Sequence, residues 1–377
     1  MKPTNDQIKL FTPATIGLLL VIIFGAYTVF MRFKMGDIHT NMQDDFPWGI
    51  WIGFNVLGGV AMAGGGFVTA SAVYLLNMKK YKPIARPAIL TAFIGYLLAA
   101  SSIMIDIGHP LRIWHPIVMW QIQSVMFIVA IHVLLYTTVL ALESSPMFLE
   151  KLKLDGLKNI VEKIMVGIAL FGTLLSVLHQ SSLGAVYLIV PYKLNALWYS
   201  SILPFSFLVS AIMMGLCMVS FLMILSYKFF KCSLNMAILT GLARGALVTA
   251  AFYLLVKTYI LLSGPGLSAA FAGSMESRMY LLEMSVGVLI PIFLLLLPAV
   301  RNSLAGILLV DILVICGVII NRLNVSIFGM LRQAEEMGVQ YSPNGNEIII
   351  SLFMVAVGAL LYKLAVKYFN VLSYEDV

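Results

Sequence analysis

The sequence predicts an all-α integral membrane protein with about ten transmembrane helices packed as helical bundles. Of its 377 residues, 61% are hydrophobic and only 11% are charged, whereas soluble domains carry about 25% charged and about 45–50% apolar residues. Ten apolar stretches are long enough for a span, which needs about 20 such residues. No long polar segment interrupts them, so residues 1–377 are predicted to form a single polytopic membrane domain.

The predicted spans follow one another with short connections. They cover approximately residues 14–31, 48–77, 86–107, 117–142, 160–182, 203–227, 241–263, 279–298, 303–321 and 347–369. The longest connection is predicted between Arg322 and Asn346. The first stretch lacks a small-residue cleavage pattern and is followed directly by Arg32 and Lys34. We therefore interpret it as a retained span and not as a signal peptide.

The distribution of basic residues predicts the orientation. Sixteen of the 24 lysines and arginines lie at the termini or after even-numbered spans, and seven lie after odd-numbered spans. Cytoplasmic connections are enriched in these residues, so both termini are expected in the cytoplasm. The net charge of +7 is attributed to this flanking pattern. No basic polar segment with interleaved aromatic residues points to nucleic acid, so the expected surroundings are the lipid bilayer and protein partners.

Unusual polar and aromatic residues gather at the span ends opposite the lysine-rich connections. A quinone needs an apolar groove for its tail and a few hydrogen-bonding groups for its carbonyls. Asn55, Asp106 and His179 stand where such groups are needed, at similar predicted depth, with Trp48 at the mouth. Two other interpretations stay open. The tryptophans also fit an interfacial belt, and His179 also fits a helix cap.

Several ionisable residues lie within spans or near their ends. Such groups are costly in lipid and usually face the protein interior or water. They are interpreted either as buried ion pairs that fix helix packing or as parts of a proton path, and Asp106 is a candidate partner for Arg112 or Arg322. The set comprises Asp106, Arg112, His132, Lys257, Glu283, Asp311 and Arg322.

The sequence predicts no haem, iron–sulfur cluster or other metal site in this chain. Cys217, Cys232 and Cys316 show no CxxC or CxxCH spacing, which such clusters and c-type haem require. A b-type haem usually takes axial histidines from facing helices, and only His132 lies in the middle of a predicted span. His132 is interpreted as a packed core histidine. The alternative is that His132 and a partner residue hold one haem. No catalytic residue set is predicted.

Five motifs in order resemble a known family. They are Phe46-Pro47-Trp48-Gly49-Ile50-Trp51, Asp106-Ile107-Gly108-His109-Pro110, Leu140-Ala141-Leu142-Glu143, His179-Gln180-Ser181-Ser182-Leu183-Gly184 and Phe271-Ala272-Gly273. Together they resemble membrane subunits of the NrfD/polysulfide-reductase type, most closely the HybB-like branch. That branch includes the membrane subunit of a periplasmic Ni-Fe hydrogenase and those of multihaem-cytochrome complexes. The resemblance extends from Asp45 to Tyr368.

The resemblance implies a quinone-reactive membrane anchor subunit of a respiratory electron-transfer complex, in the inner (cytoplasmic) membrane of a bacterium or archaeon. Such subunits bind menaquinone or ubiquinone near the external face and hold no haem or cluster. A periplasmic ferredoxin-like iron–sulfur subunit docks there, with a hydrogenase or multihaem cytochrome beyond it. The chain would belong to an oxidoreductase without carrying its catalytic centre. Alternatives are a secondary transporter, disfavoured because no internal repeat is visible, and a structural anchor without quinone chemistry.

The sequence departs from the branch in three features. Ile128 stands where a Glu usually follows Ser-Val-x-Phe. Lys257 and Ile260 stand where the branch has Arg and an acid, and no Trp precedes the late acid Glu347. These departures are compatible with a quinone role but weaken the expectation of a transmembrane proton relay.

Overall fold

The computed structural model describes residues 8–43, 46, 48–264 and 266–372. Within that part, ten helices are long and apolar enough to cross a membrane, which confirms the predicted all-α membrane protein. Pro47 of the first motif lies outside the described residues, as does Asp45. The helices are α1 Pro13–His39, α2 Ile52–Leu75, α3 Lys79–Asp106, α4 Val125–Lys151, α5 Asp155–Ile189, α6 Leu203–Phe230, α7 Met236–Leu262, α8 Met275–Leu296, α9 Leu304–Glu336 and α10 Gly345–Tyr368.

The helices form two four-helix bundles and one additional pair. In the first bundle α2, α3, α4 and α5 pack in a ring, and in the second α6, α7, α8 and α9 do the same. Helix α6 joins the bundles by packing on α2 and α5, and α9 also contacts α2. Helices α1 and α10 pack on each other and against α3. The protein is therefore a multi-pass helical protein with two bundles, and each bundle has its own interior.

Glycines at the α2–α6 contact bring the two bundles together. A β-carbon at Gly65 would lie 2.7 Å from the main-chain oxygen of Gly215, and one at Gly215 would lie 2.5 Å from the nitrogen of Gly65. Such contacts are too close for any side chain, so the backbones touch directly. Small residues commonly permit this approach between membrane helices.

Several helix ends differ from those predicted. Helix α9 runs to Glu336 because Asn321 and Arg322 are buried inside the second bundle instead of marking its edge. The long connection expected after Arg322 is thereby reduced to residues 337–344. Helix α4 begins at Val125, where the Ser124 side chain accepts a hydrogen bond from the Phe127 amide. Residues 107–124 form a separate segment with only short helical turns.

The two ends of the described chain lie together. Lys367 Nζ donates to the main-chain oxygen of Ile8 at 3.0 Å, and Lys363 Nζ donates to that of Leu10 at 3.2 Å. This agrees with an even number of spans. We call the end of the molecule that carries Lys80, Lys151 and the chain ends the basic end, and the opposite end, with Trp48 and Asp106, the motif end.

Candidate functional site

His179 lies inside the first bundle. Its side chain is fully buried on α5, and its ring faces Tyr96 of α3 and His132 of α4, with centroid distances of 5.5 and 6.3 Å. Neither ring nitrogen has a hydrogen-bond partner among the described residues. Helix α5 continues to Ile189, so the interpretation of His179 as a helix cap is wrong. It is a core histidine with two unused nitrogens.

Asn55 lies on α2, closer to the motif end than His179. It belongs to a π-helical stretch, Ile52–Gly58, and such stretches often occur at functional sites. The side chain is buried, and Nδ2 has no partner within the described part of the chain. The next α5 residue, Gln180, donates from Nε2 to the main-chain oxygen of Val60 at 2.8 Å. This hydrogen bond places His179 at about the depth of Val60 on α2. Because Val60 follows Asn55 by five residues, Asn55 lies roughly 7 Å closer to the motif end than His179 does.

Asp106 ends α3 at the motif end and is half-buried. Arg32 of α1 donates from Nη2 to its main-chain oxygen at 3.2 Å and forms an ion pair with Asp37 at 2.6 Å. Tyr96, which faces His179, precedes Asp106 by ten residues on the same helix, or about 15 Å. The structure therefore places Asp106, Asn55 and His179 at successive depths, and not at the similar depth expected, because α5 extends further than predicted.

Trp48 lines an apolar cavity at the motif end. Its ring is half-buried and packs edge-on against Tyr187, with centroids 5.0 Å apart. The cavity has a volume of about 170 Å³ and lies where the starts of α2 and α4 meet the ends of α5 and α9. Its walls include Phe46, Met126, Ile189, Lys193, Met330 and Met337. It offers an apolar surface with one basic group at its edge.

The second bundle holds a buried ion pair. Lys257 Nζ of α7 lies 2.9 Å from Glu283 Oε1 of α8. The same oxygen accepts a bond from Asn321, and Oε2 accepts bonds from Trp198 and Asn324, all at 2.8–2.9 Å. Each carboxylate oxygen thus has two donors. Of the ionisable residues singled out in the sequence, Lys257 and Glu283 form a fully hydrogen-bonded pair.

Arg322 is buried beside this pair. It donates to Asn321 Oδ1 at 2.6 Å and to the main-chain oxygen of Phe207 and Ser210 Oγ of α6 at 3.1 and 2.9 Å. Its guanidinium stacks on the Phe207 ring at 3.7 Å. Arg112 lies exposed in the connection after α3. Asp106 therefore forms an ion pair with neither arginine in the described structure.

Two further acids were not singled out as site residues. Glu347 accepts bonds from Tyr341 Oη at 2.5 Å and from the Asn41 amide at 2.8 Å, and Tyr341 Oη accepts from the Ile50 amide at 2.9 Å. The spacing Asn344-x-x-Glu347 is that of a helix capping box, a signal that could have identified this position. Glu143 of α4 is buried with Oε2 unpartnered in the described residues; nothing in its spacing indicated this.

Comparison with known proteins supports the resemblance. Residues 39–334 match the family model of polysulphide reductase, NrfD. The chain is 30% identical to the probable Ni/Fe-hydrogenase 2 b-type cytochrome subunit of Escherichia coli K12, over 98% of this chain and 93% of that protein. It is 27% identical to the menaquinone reductase integral membrane subunit of Nitratidesulfovibrio vulgaris Hildenborough, over 93% and 90%. It is 25% identical to the Hdr-like menaquinol oxidoreductase integral membrane subunit of Archaeoglobus fulgidus, over 98% and 95%.

The family match covers more than half of the chain, and the relatives match nearly all of it. The relatives' names describe membrane subunits of redox complexes, in agreement with the ten spanning helices. The chain belongs to the polysulphide reductase NrfD family.

Proposed function

We propose that this protein is the quinone-reactive membrane subunit of a respiratory electron-transfer complex. It exchanges electrons between menaquinone or ubiquinone and a periplasmic ferredoxin-like iron–sulfur subunit, itself linked to a hydrogenase or multihaem cytochrome. The chief support is the full-length similarity to two membrane subunits named for menaquinone chemistry, together with the hydrogenase subunit. Both termini are proposed to lie in the cytoplasm of a bacterial or archaeal cell.

The first bundle and its motif end suit a quinone. An apolar cavity lined by Trp48 can receive a lipid-soluble ring or part of its tail. The buried, unpartnered Asn55 Nδ2 can donate to a carbonyl, and the two free nitrogens of His179 can donate or accept. Asp106, near the surface, is the group of this set placed to exchange protons with water. The order of the three along the bundle suits a site that extends inwards from the motif end.

The motif end is also the proposed docking face for the iron–sulfur partner. It carries the described residues of the connection 40–50 and the connections 107–124, 190–202 and 337–344, and these include parts of the motifs that begin at Phe46 and Asp106. Docking there would bring a cluster close to the Trp48 cavity. Cross-links from the partner to Lys151 or Lys228 at the basic end, instead of to Lys193 at the motif end, would contradict this arrangement.

The test is quinone-dependent electron transfer in membranes, normalised to the assembled partner subunit. His179→Ala and Asp106→Asn are expected to slow turnover by about tenfold to about a hundredfold, since one well-placed hydrogen bond contributes about 1–3 kcal/mol. Asp155→Asn, which replaces an exposed aspartate at the basic end, is the matched control and should keep the wild-type rate. Wild-type rates in both test variants would place the quinone elsewhere, and a purified complex without quinone activity would favour a structural anchor.

A further inference from the structure

A second cavity lies at the basic end, remote from the proposed quinone site. It measures about 600 Å³ and is open to the surface. It is bounded by the first turn of α3, the first turns of α7 and the connection between α8 and α9. Its polar and basic lining residues are Lys80, Tyr81, Thr240, Arg244 and Asn302, with Met236 at its edge.

The charge of this cavity is uncompensated. Lys80 and Arg244 form no ion pair in the described structure, and Lys80 lies instead over the Tyr81 ring at 4.7 Å. No Asp or Glu occurs in the sequence between Glu162 and Glu276, a stretch that contains the whole of α7. Residues 76–82 around Lys80 and residues 297–303 around Asn302 also lack acidic side chains. Lys80 and Arg244 therefore line the same cavity, and no acidic side chain of the described protein neutralises them.

The backbone is shaped to keep this space open. A β-carbon at Gly241 would lie 2.5 Å from Tyr81 Oη and 3.4 Å from Lys80 Nζ. Glycine at this position thus lets the tyrosine hydroxyl and the lysine ammonium approach the surface of α7. The amino-terminal end of α7 is also nearby, and its dipole adds a partial positive charge that favours anions. The two basic side chains and the dipole of α7 all favour a negatively charged ligand.

The surroundings of the cavity are apolar. Leu76 and Met78, in the connection that precedes Lys80, are 69% and 41% exposed. They lie at the end of the apolar span α2, where the hydrocarbon region of a bilayer meets its headgroups. An occupant with a charged phosphate and acyl chains would place the phosphate between Lys80 and Arg244 and its chains along this apolar edge. Basic pockets at the ends of membrane helices commonly hold anionic headgroups.

We propose that the cavity bounded by Lys80, Tyr81 and Arg244 binds the phosphate group of an anionic phospholipid at the basic end of the protein. The site is independent of quinone chemistry and requires only that the chain is embedded in a membrane. Because the cavity lies between the start of α3 in the first bundle and the start of α7 in the second, a bound lipid would link the two bundles.

The experiment uses full-length protein in detergent, stripped of lipid, and measures lipid binding by native mass spectrometry and by the thermal unfolding midpoint. Phosphatidylglycerol and cardiolipin are expected to bind at least tenfold more tightly than phosphatidylcholine and to raise the midpoint. Lys80→Gln with Arg244→Gln should weaken anionic lipid binding by about thirtyfold, because each basic residue near a headgroup contributes about five- to sixfold. The lipid-free midpoint of this variant should match the wild type, since both side chains are unpaired at the surface.

Lys151→Gln with Lys153→Gln is the matched control, because both lysines are exposed at the same end and neither lines this cavity. Unchanged binding in the control supports the proposal, whereas an equal loss in both double variants would show general charge attraction and overturn it. Inorganic phosphate supplies the remaining arm. Competition by phosphate only at concentrations far above those of the lipid supports a lipid site. Stabilisation by phosphate with no preference for anionic lipid would overturn the lipid assignment in favour of a free anion.

Discussion

Lys257 and Glu283 form an ion pair of 2.9 Å in the core of the second bundle, with side chains only 4% and 1% exposed. Helix α7 has Ile260 one turn beyond Lys257, so the acid that pairs with this lysine comes from α8. Ion pairs this deeply buried lose much of their Coulombic gain to desolvation. Replacing only one residue of such a pair is nevertheless costly, because the other charge then stays buried without a counter-charge.

The first prediction follows from this pair. Glu283→Gln should destabilise the protein by about 3–5 kcal/mol because Lys257 is left as an unpaired buried charge. Adding Lys257→Met should recover part of the loss, since the unpaired ammonium is removed and only Arg322 then remains as a buried charge beside this position. Thermal or denaturant unfolding in detergent measures both effects. A loss in the double variant equal to that in the single variant would show that the four hydrogen bonds to Glu283, and not the charge balance, dominate.

Glu143→Gln provides a control of the same chemistry in the other bundle. Glu143 is also a buried glutamate, but no cation pairs with it and its Oε2 is unpartnered in the described structure. Its replacement by the isosteric amide should therefore leave stability unchanged or slightly raised. A destabilisation as large as that of Glu283→Gln would mean that Glu143 is charged and paired in the membrane.

The second prediction concerns Tyr341, which fixes the start of α10 through Glu347. Burial, together with the hydrogen bond to Glu347, raises the pKa of Tyr341 above its usual value near 10. A group with a raised folded pKa contributes stability that is fully present below the unfolded pKa and is lost as the pH rises past it. Tyr341→Phe should thus cost about 1–3 kcal/mol at every pH from 6 to 9, because the Glu347 carboxylate and the Ile50 amide lose a partner.

Above about pH 10 the difference between wild type and Tyr341→Phe should shrink, since the unfolded tyrosine ionises there. Unfolding midpoints at several pH values, with Tyr192→Phe as the control, check this. Tyr192 is 88% exposed, so its replacement should change neither stability nor pH dependence. A constant difference through pH 11 would show that the hydroxyl contributes by packing and not by its retained proton.

The sequence was sufficient for the number of spans and the family, but less so for helix ends. Hydropathy marks where a helix leaves lipid, and it treats polar residues as an edge. Asn321 and Arg322 are polar yet buried by side chains of α6 and α8, so α9 continues past them to Glu336. Hydropathy likewise places His179 near the end of its span, whereas α5 continues to Ile189 and buries it. Which polar residues face protein instead of water depends on contacts between distant helices.

The site residues show the same limit. Asn55 and His179 are both buried, but their depth in the bundle could not be predicted without knowing where α5 ends. The partner of Lys257 could not be read from spacing, because Glu283 lies on another helix. Tyr96, which faces His179, gives no sequence signal, since tyrosine is also common at membrane interfaces.

The third prediction concerns orientation. A cytoplasm-active reporter fused after Val377 should be active, and a reporter that works only outside should be inactive. The described chain ends meet at the basic end through Lys367 and Ile8, so both termini must share one side. Two of the seven basic residues counted on the opposite side, Arg32 and Arg322, are buried in the protein, which strengthens the bias. A fusion near Lys193 should be active only with the reporter that works outside. Activity of that reporter at the C-terminus would show that the proposed orientation is inverted.

The last prediction is that the purified protein contains no haem. The structure brings two histidines of different helices together, since the His132 and His179 rings lie 6.3 Å apart, and a histidine pair is a common axial ligand set for b-type haem. Tyr96 also contacts His179, and Ser182 lies 3.4 Å from His132 Nδ1. Helices α4 and α5, which carry the two histidines, pack directly on each other, so a porphyrin plane between the rings would require the helices to move apart. An absorption spectrum of washed protein should accordingly lack a Soret band in the oxidised and reduced states, and His132→Ala should leave the spectrum unchanged. A band that survives washing and disappears in both His132→Ala and His179→Ala would show that the pair holds a haem after all.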